Sequence, residues 1–179
     1  MPDRGVNSME TLIVYYSRSG ATERVARDIT VRLNADELSL EDNRDRSGIL
    51  GFLRSGFDAL TSNVTIINDF DHRLEEYDLI IIGTPMWAGR LTPAVRTFLL
   101  GNAEVLPEVA FFITRGGTSA ERTLRSMEDL AGREPLASLV LSREEAMGDT
   151  GSGREEIESF VSLLRDKFER TLEEEIKSE

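Results

Sequence analysis

The sequence predicts an α/β protein built on a doubly wound, five-stranded parallel sheet with helices on both faces. Three observations carry that expectation. Short β-branched and apolar runs alternate along the chain with segments whose apolar residues recur at helical spacing. The strongest runs, 11–16 and 79–82, are apolar at successive positions, as a central strand covered on both faces requires. Turns rich in glycine and hydroxyl residues follow these runs, where a βαβ unit passes from strand to helix.

The first strand, 11–16, reads Thr-Leu-Ile-Val-Tyr-Tyr and stops at Ser17-Arg18-Ser19-Gly20. Past Gly20 the period changes: Val25, Ala26, Ile29 and Leu33 share one helical face, with Glu23, Arg24, Arg27, Asp28 and Arg32 elsewhere. Residues 37–40 form a short second strand, and a polar, arginine-bearing loop spans 41–48. Ile49, Leu50, Phe52, Leu53, Phe57 and Leu60 predict an irregular helix broken by Gly51 and Gly56. The third strand is 77–83. A helix covers 91–100, with Pro93 in its first turn, where the missing N–H costs nothing. The fourth strand is 109–113, followed by a helix over 118–131 capped by Thr118 or Ser119. The fifth strand is 136–141, and 148–153 is a glycine-rich loop. In the last helix Ile157, Phe160, Val161, Leu164 and Phe168 share a face before a solvated acidic end. Residues 1–9 are expected to be an N-terminal extension and 10–179 a single domain.

Composition removes several function classes. The 179 residues carry 33 acidic and 21 basic side chains, a formal charge of −12. Such a balance repels phosphate backbones and anionic lipid, so no nucleic acid and no membrane is expected as a partner. The absence of cysteine excludes disulfides, thiolate-bound zinc, iron–sulfur clusters and cysteine nucleophiles. The one histidine, His72, excludes multi-histidine metal sites, and no metal is expected; His72 precedes the third strand and reads as a surface residue. No apolar leader or span is visible, and the expected compartment is the cytoplasm. Redox chemistry would have to come from a bound organic cofactor.

In doubly wound sheets ligands bind at the carboxyl ends of the strands, near the switch in strand order. Three loops lie there. After the first strand, Ser17, Arg18, Ser19, Gly20, Ala21 and Thr22 put three hydroxyls and a glycine at a helix N-terminus, which suits either a phosphate or an ordinary cap by Ser17 or Ser19. After the third strand, Pro85, Met86, Trp87, Ala88, Gly89 and Arg90 include the only tryptophan, placed either to stack an aromatic ring or to cover the core from above. After the fourth, Thr114, Arg115, Gly116, Gly117 and Thr118 offer a backbone open to a planar ligand, or a flexible turn.

Taken together, these loops resemble those of the flavodoxin family. Ser17, Ser19, Gly20 and Thr22 match its hydroxyl-x-hydroxyl-Gly-x-Thr phosphate loop, and Gly83-Thr84-Pro85-Met86-Trp87 is similar to the first flavin-contacting loop of its flavodoxin-like and quinone-reductase-like branches. The resemblance spans roughly residues 10–170. It implies the strand order 2-1-3-4-5 and FMN as cofactor, with the phosphate at 17–22 and the ring between 85–90 and 114–118. Ala21 stands where the family often has asparagine, and the third loop lacks the tyrosine that commonly covers the outer ring face. A dinucleotide fingerprint, a P-loop, a receiver-type acidic cluster and a hydrolase elbow are all missing.

The resemblance leaves three readings. The first is an electron carrier that meets a redox partner protein through its acidic surface. The second is an NAD(P)H-dependent FMN quinone reductase acting on a small anionic or quinone acceptor. The third is a flavodoxin-like scaffold without cofactor. A homodimer stays open. Each ligand loop also carries an arginine: Arg18, Arg90 and Arg115. Arg90, three residues after Trp87, is the expected contact for an anionic substrate.

Overall fold

The computed structural model describes residues 9–43, 64–117, 119–148 and 150–178. Residues 1–8 of the extension expected at 1–9, most of the polar loop 41–48 and the helix expected at 49–60 lie outside the described residues.

The chain runs β1 (Thr11–Tyr15), α1 (Ala21–Leu33), β2 (Asp36–Ser39), β3 (Asp42–Asn43), β4 (Ile66–Ile67), a 3-10 turn (Leu74–Glu76), β5 (Leu79–Pro85), α2 (Pro93–Asn102), β6 (Glu108–Arg115), α3 (Glu121–Ala131), β7 (Ser138–Ser142), α4 (Arg143–Met147) and α5 (Gly151–Ser178). The main sheet is parallel throughout, in the order β2-β1-β5-β6-β7. Counting only its own strands, that is the expected 2-1-3-4-5.

Two apolar layers hold the sheet between its helices. Leu12, Val14, Ile80, Ile82, Phe111 and Ile113 point to one face, where α2 brings Val95, Phe98 and Leu99 and α3 brings Met127. The alternate residues Ile13, Ile81, Ala110 and Phe112 point to the other, where α1 brings Val25, Ala26 and Ile29 and α5 brings Ile157, Phe160, Val161 and Leu164. Successive residues of β1, β5 and β6 therefore serve opposite cores, which is why those strands read as continuous apolar runs.

Several expectations shift. β5 begins at Leu79 because Tyr77 closes the 3-10 turn, and Asp78 ties to Glu10 through both its backbone and its carboxylate. The N-cap of α3 is Ala120, not Ser119, and no side chain caps it; Ser119 Oγ instead accepts from the N–H of Glu121 at 3.3 Å. Thr118 lies outside the described residues. The stretch 148–153 is not all loop: Gly148 ends α4, and α5 already begins at Gly151. His72 is half-buried beside Tyr77 rather than a plain surface residue, with ring centroids 6.4 Å apart. The antiparallel pair β3–β4 and the short helix α4 are additional. Among the described residues no helix is long and apolar enough to cross a membrane.

Candidate functional site

The carboxyl ends of β1, β5 and β6 deliver the three loops to one edge of the sheet. β1 ends with its ladder intact: Tyr16 N–H donates to Gly83 O at 3.1 Å and Leu40 N–H to Tyr15 O at 2.7 Å. The chain then leaves the sheet and enters α1 through Gly20, whose φ of +84° lies in the left-handed region that favours glycine. No side chain caps α1, so neither Ser17 nor Ser19 plays that role. Among the described residues the N–H groups of Ser17, Arg18, Ser19 and Gly20 find no acceptor. Ser17 Oγ is buried and has no hydrogen-bond partner. A buried orphan hydroxyl costs stability unless something else satisfies it. Open donors, an unpartnered hydroxyl and the positive end of a 13-residue helix meet at this turn.

Thr22 has a different role. It is buried, and its Oγ1 lies 2.7 Å from Thr114 Oγ1, joining the first turn of α1 to the end of β6. Ala21 is also buried. At the end of β1, Tyr15 donates from its hydroxyl to Glu37 Oε1 at 2.7 Å. Burial, reinforced by this carboxylate, pushes the Tyr15 phenol up to about 12, so it stays neutral and fixed beneath the loop.

The second loop is a tight hairpin. Trp87 and Arg90 exchange two backbone hydrogen bonds, at 3.1 and 2.9 Å. The residues between them, Ala88 and Gly89, have φ of +47° and +72°. Positive φ at both central positions defines a type I′ turn, and Ala88 is there against its intrinsic preference. Met86 N–H donates to Thr114 O at 2.8 Å, and Thr123 Oγ1 to Gly89 O at 3.4 Å, so the hairpin is held to both β6 and α3. Trp87 is half-buried. Its ring meets Tyr16 edge-on, with centroids 5.6 Å apart, and the Arg18 guanidinium carbon lies 5.6 Å from its centroid. Trp87 thus stands over the first loop.

The third loop leaves β6 at Thr114 and Arg115. Arg115 Nη1 donates to Gly116 O at 3.3 Å, and its charge helps to lower the Glu145 carboxyl. Gly116 and Gly117 are exposed, with open space where a side chain would stand.

The three loop arginines do not share one place. Arg18 lies at Trp87, and Arg115 lies along its own loop. Arg90 lines a cleft of about 220 Å³ with Gly89, Leu91, Arg96, Arg122, Thr123 and Ser126. Sequence reasoning passes over Arg96 and Arg122, since both sit in helices and look like solvated charges. The signal was their position in the opening turns of the two helices that leave this sheet edge.

No protein-family model matches the sequence, and no curated protein matches it. Solved structures do. A flavoprotein from Lactobacillus acidophilus NCFM, determined in complex with FMN, is 23% identical; the match covers 79% of this chain and 97% of that one, with a TM-score of 0.59. A flavodoxin from the domain Archaea is 15% identical over 90% of this chain and 98% of its own, with a TM-score of 0.54. The two-electron reduced flavodoxin of Megasphaera elsdenii is 17% identical over 86% of this chain and 96% of its own, also with a TM-score of 0.54. Strand order, helix placement and these matches agree: the chain has the fold of the flavodoxins.

Proposed function

We propose that this protein binds FMN and passes electrons through it. The observation that carries the reading is the turn after β1: Ser17 Oγ is buried without a partner, beside N–H groups that also lack acceptors. A phosphate is the ligand this donor set suits, because every available group donates and none carries negative charge. Ser17, Ser19 and the N–H groups of 17–20 would hold it. Thr22 would contribute by fixing α1 against β6 through Thr114. Trp87 would border the ring on one side and the open backbone of Gly116–Gly117 on another. FMN, when bound, supplies one- and two-electron redox chemistry; the protein positions it and limits its contact with water.

Titration of the purified protein with FMN tests this. Stoichiometric uptake is expected, with quenching of the fluorescence of Trp87, the only tryptophan. Ser17→Ala should weaken FMN by about tenfold, the loss of one hydrogen bond to a charged group. Trp87→Ala should weaken it by about 1–3 kcal/mol, by analogy with base–aromatic stacking. Absence of FMN binding, or a clear preference for FAD, rejects the proposal. Unchanged tryptophan fluorescence on binding removes Trp87 from the site.

A second reading, an NAD(P)H-dependent quinone reductase, is favoured by the exposed Gly116–Gly117 turn, which leaves room for a substrate beside the ring. Oxidation of NADPH or NADH by the FMN-loaded protein, with and without a quinone, separates an enzyme from a carrier.

A further inference from the structure

The cleft that takes in Arg90 has an unusual electrical character for this chain. Arg90 comes from the hairpin, Arg96 from the first turn of α2 and Arg122 from the first turn of α3. Among the described residues none of the three forms an ion pair, although acidic side chains outnumber basic ones by 33 to 21. Arg96 Nε is buried and has no hydrogen-bond partner, while its Nη2 reaches Ser126 Oγ at 3.5 Å. Arg96 and Arg122 also sit at the ends of helices where the dipole disfavours a cation. Three arginines that line one cleft, two of them at the positive ends of helices, repel one another. In a folded protein such an arrangement is stabilised by a bound anion.

We propose that this cleft is a binding site for a phosphoryl group, separate from the turn after β1. Planar guanidinium forks match phosphate oxygens with paired hydrogen bonds, and a dianion answers three positive charges better than a single carboxylate does. The Ser126 hydroxyl adds a further donor. The volume of about 220 Å³ is below the roughly 300–1,000 Å³ of a pocket for a whole organic ligand, so the phosphoryl end enters and the remainder projects outward. Occupancy would reach the hairpin directly. Arg90 pairs with Trp87 through two backbone hydrogen bonds, and Thr123 of the cleft bonds Gly89. A ligand held here would therefore steady the hairpin that carries Trp87.

Calorimetric titration of the full chain at low ionic strength tests the proposal, with inorganic phosphate, glycerol phosphate, succinate and chloride as probes. The two phosphates are expected to bind and the other two to bind at least about tenfold more weakly, the difference of one charge-assisted hydrogen bond. Tighter glycerol phosphate identifies an ester as the ligand; tighter inorganic phosphate identifies the free ion. Arg96→Gln and Arg122→Gln should each weaken phosphate by about tenfold on the same basis. Ser17→Ala bears on phosphate held at the turn after β1, whereas the part of the binding that Arg96→Gln and Arg122→Gln remove belongs to this cleft, so the FMN reading and this one fail separately. Should the glutamine variants not fold, Arg96→Lys and Arg122→Lys keep the charge and still lose the paired geometry, with weaker binding expected. Equal binding of succinate, full affinity in folded Arg96→Gln/Arg122→Gln protein, or loss in Ser17→Ala of the same binding that the arginine variants remove overturns the proposal.

Discussion

Gly83 stands directly across from Phe112 in the β5–β6 ladder, and a Cβ placed on it would lie 1.9 Å from Phe112 Cζ. The contact is with a buried ring packed under the sheet edge, not with a movable chain end. Gly83→Ala should therefore destabilise the protein by about 1–3 kcal/mol, the usual range for overpacking a core. Urea unfolding measures it. Phe112→Leu alone should also destabilise, but combined with Gly83→Ala it should recover part of the loss, because the obstructing ring is gone. Simple additivity of the two would reject the packing account. The same residue shows what single positions reveal. From sequence, Gly83 reads as the end of a strand and the start of a loop motif, and nothing local shows its contact with Phe112, because the partner that demands it is far along the chain. Trp87 was legible as a loop tryptophan at the ligand edge. Its contacts with Tyr16 and Arg18 depend on how the hairpin folds back over the first loop, which no local pattern encodes.

Elements were legible where one physical pattern dominates. The apolar runs of β1 and β5 and the amphipathic period of α1 and α5 announce themselves, and so the doubly wound sheet followed; its strand order came only from the resemblance to the flavodoxins. Ends were less legible, and α4 is the instructive case. Ser142 and Glu145 carry the S-x-x-E spacing of a capping box, but the sequence reading assigns no helix to 143–147 and treats the glycines that follow as a loop. In the structure Ser142 Oγ accepts from Glu145 N–H at 3.2 Å, and Ser142 N–H donates to Glu145 Oε2 at 2.7 Å. Gly153 is there because α5 starts hard against α4: a Cβ on it would lie 2.4 Å from Glu145 O. Glycine enrichment thus reflects close approach of two helices as much as loop character. The backbone hydrogen bond from Ser142 holds the Glu145 carboxyl below its ordinary value. A depressed carboxyl stabilises the fold above its unfolded pKa, and that contribution disappears as pH falls through the folded value. Glu145→Gln should accordingly lower the melting temperature at neutral pH. The difference from wild type should shrink as the solution is acidified through the carboxylate range. A difference that stays constant with pH would mean that the charge of Glu145 contributes nothing to the cap.

At the scale of the whole molecule two charge patterns compete. The chain carries −12 overall, while Arg18, Arg90, Arg96, Arg115 and Arg122 come from the loops and helix starts at the carboxyl edge of the sheet. Their ranges differ. The net charge acts at a distance, and at about 0.1 M salt it is screened over roughly 10 Å; the arginines act at contact and survive more of that screening. For an acceptor protein with a basic surface, long-range attraction should govern the encounter. Electron transfer from the reduced, FMN-loaded protein to cytochrome c should slow steeply as ionic strength rises. For a small anionic acceptor such as ferricyanide, the net charge alone demands the reverse, a rate that climbs with salt as repulsion is screened. The arginine edge opposes that, because the anion is attracted over the last few ångströms of its approach. The expected result is a salt dependence for ferricyanide much shallower than −12 would give. In an Arg18→Gln/Arg90→Gln variant it should steepen, while the cytochrome c dependence stays nearly the same. Stopped-flow mixing across a salt series measures both. A ferricyanide rate that already rises with the full slope in the wild type would leave the local cations without influence at the point of transfer. The protein would then meet every acceptor as a uniformly acidic body.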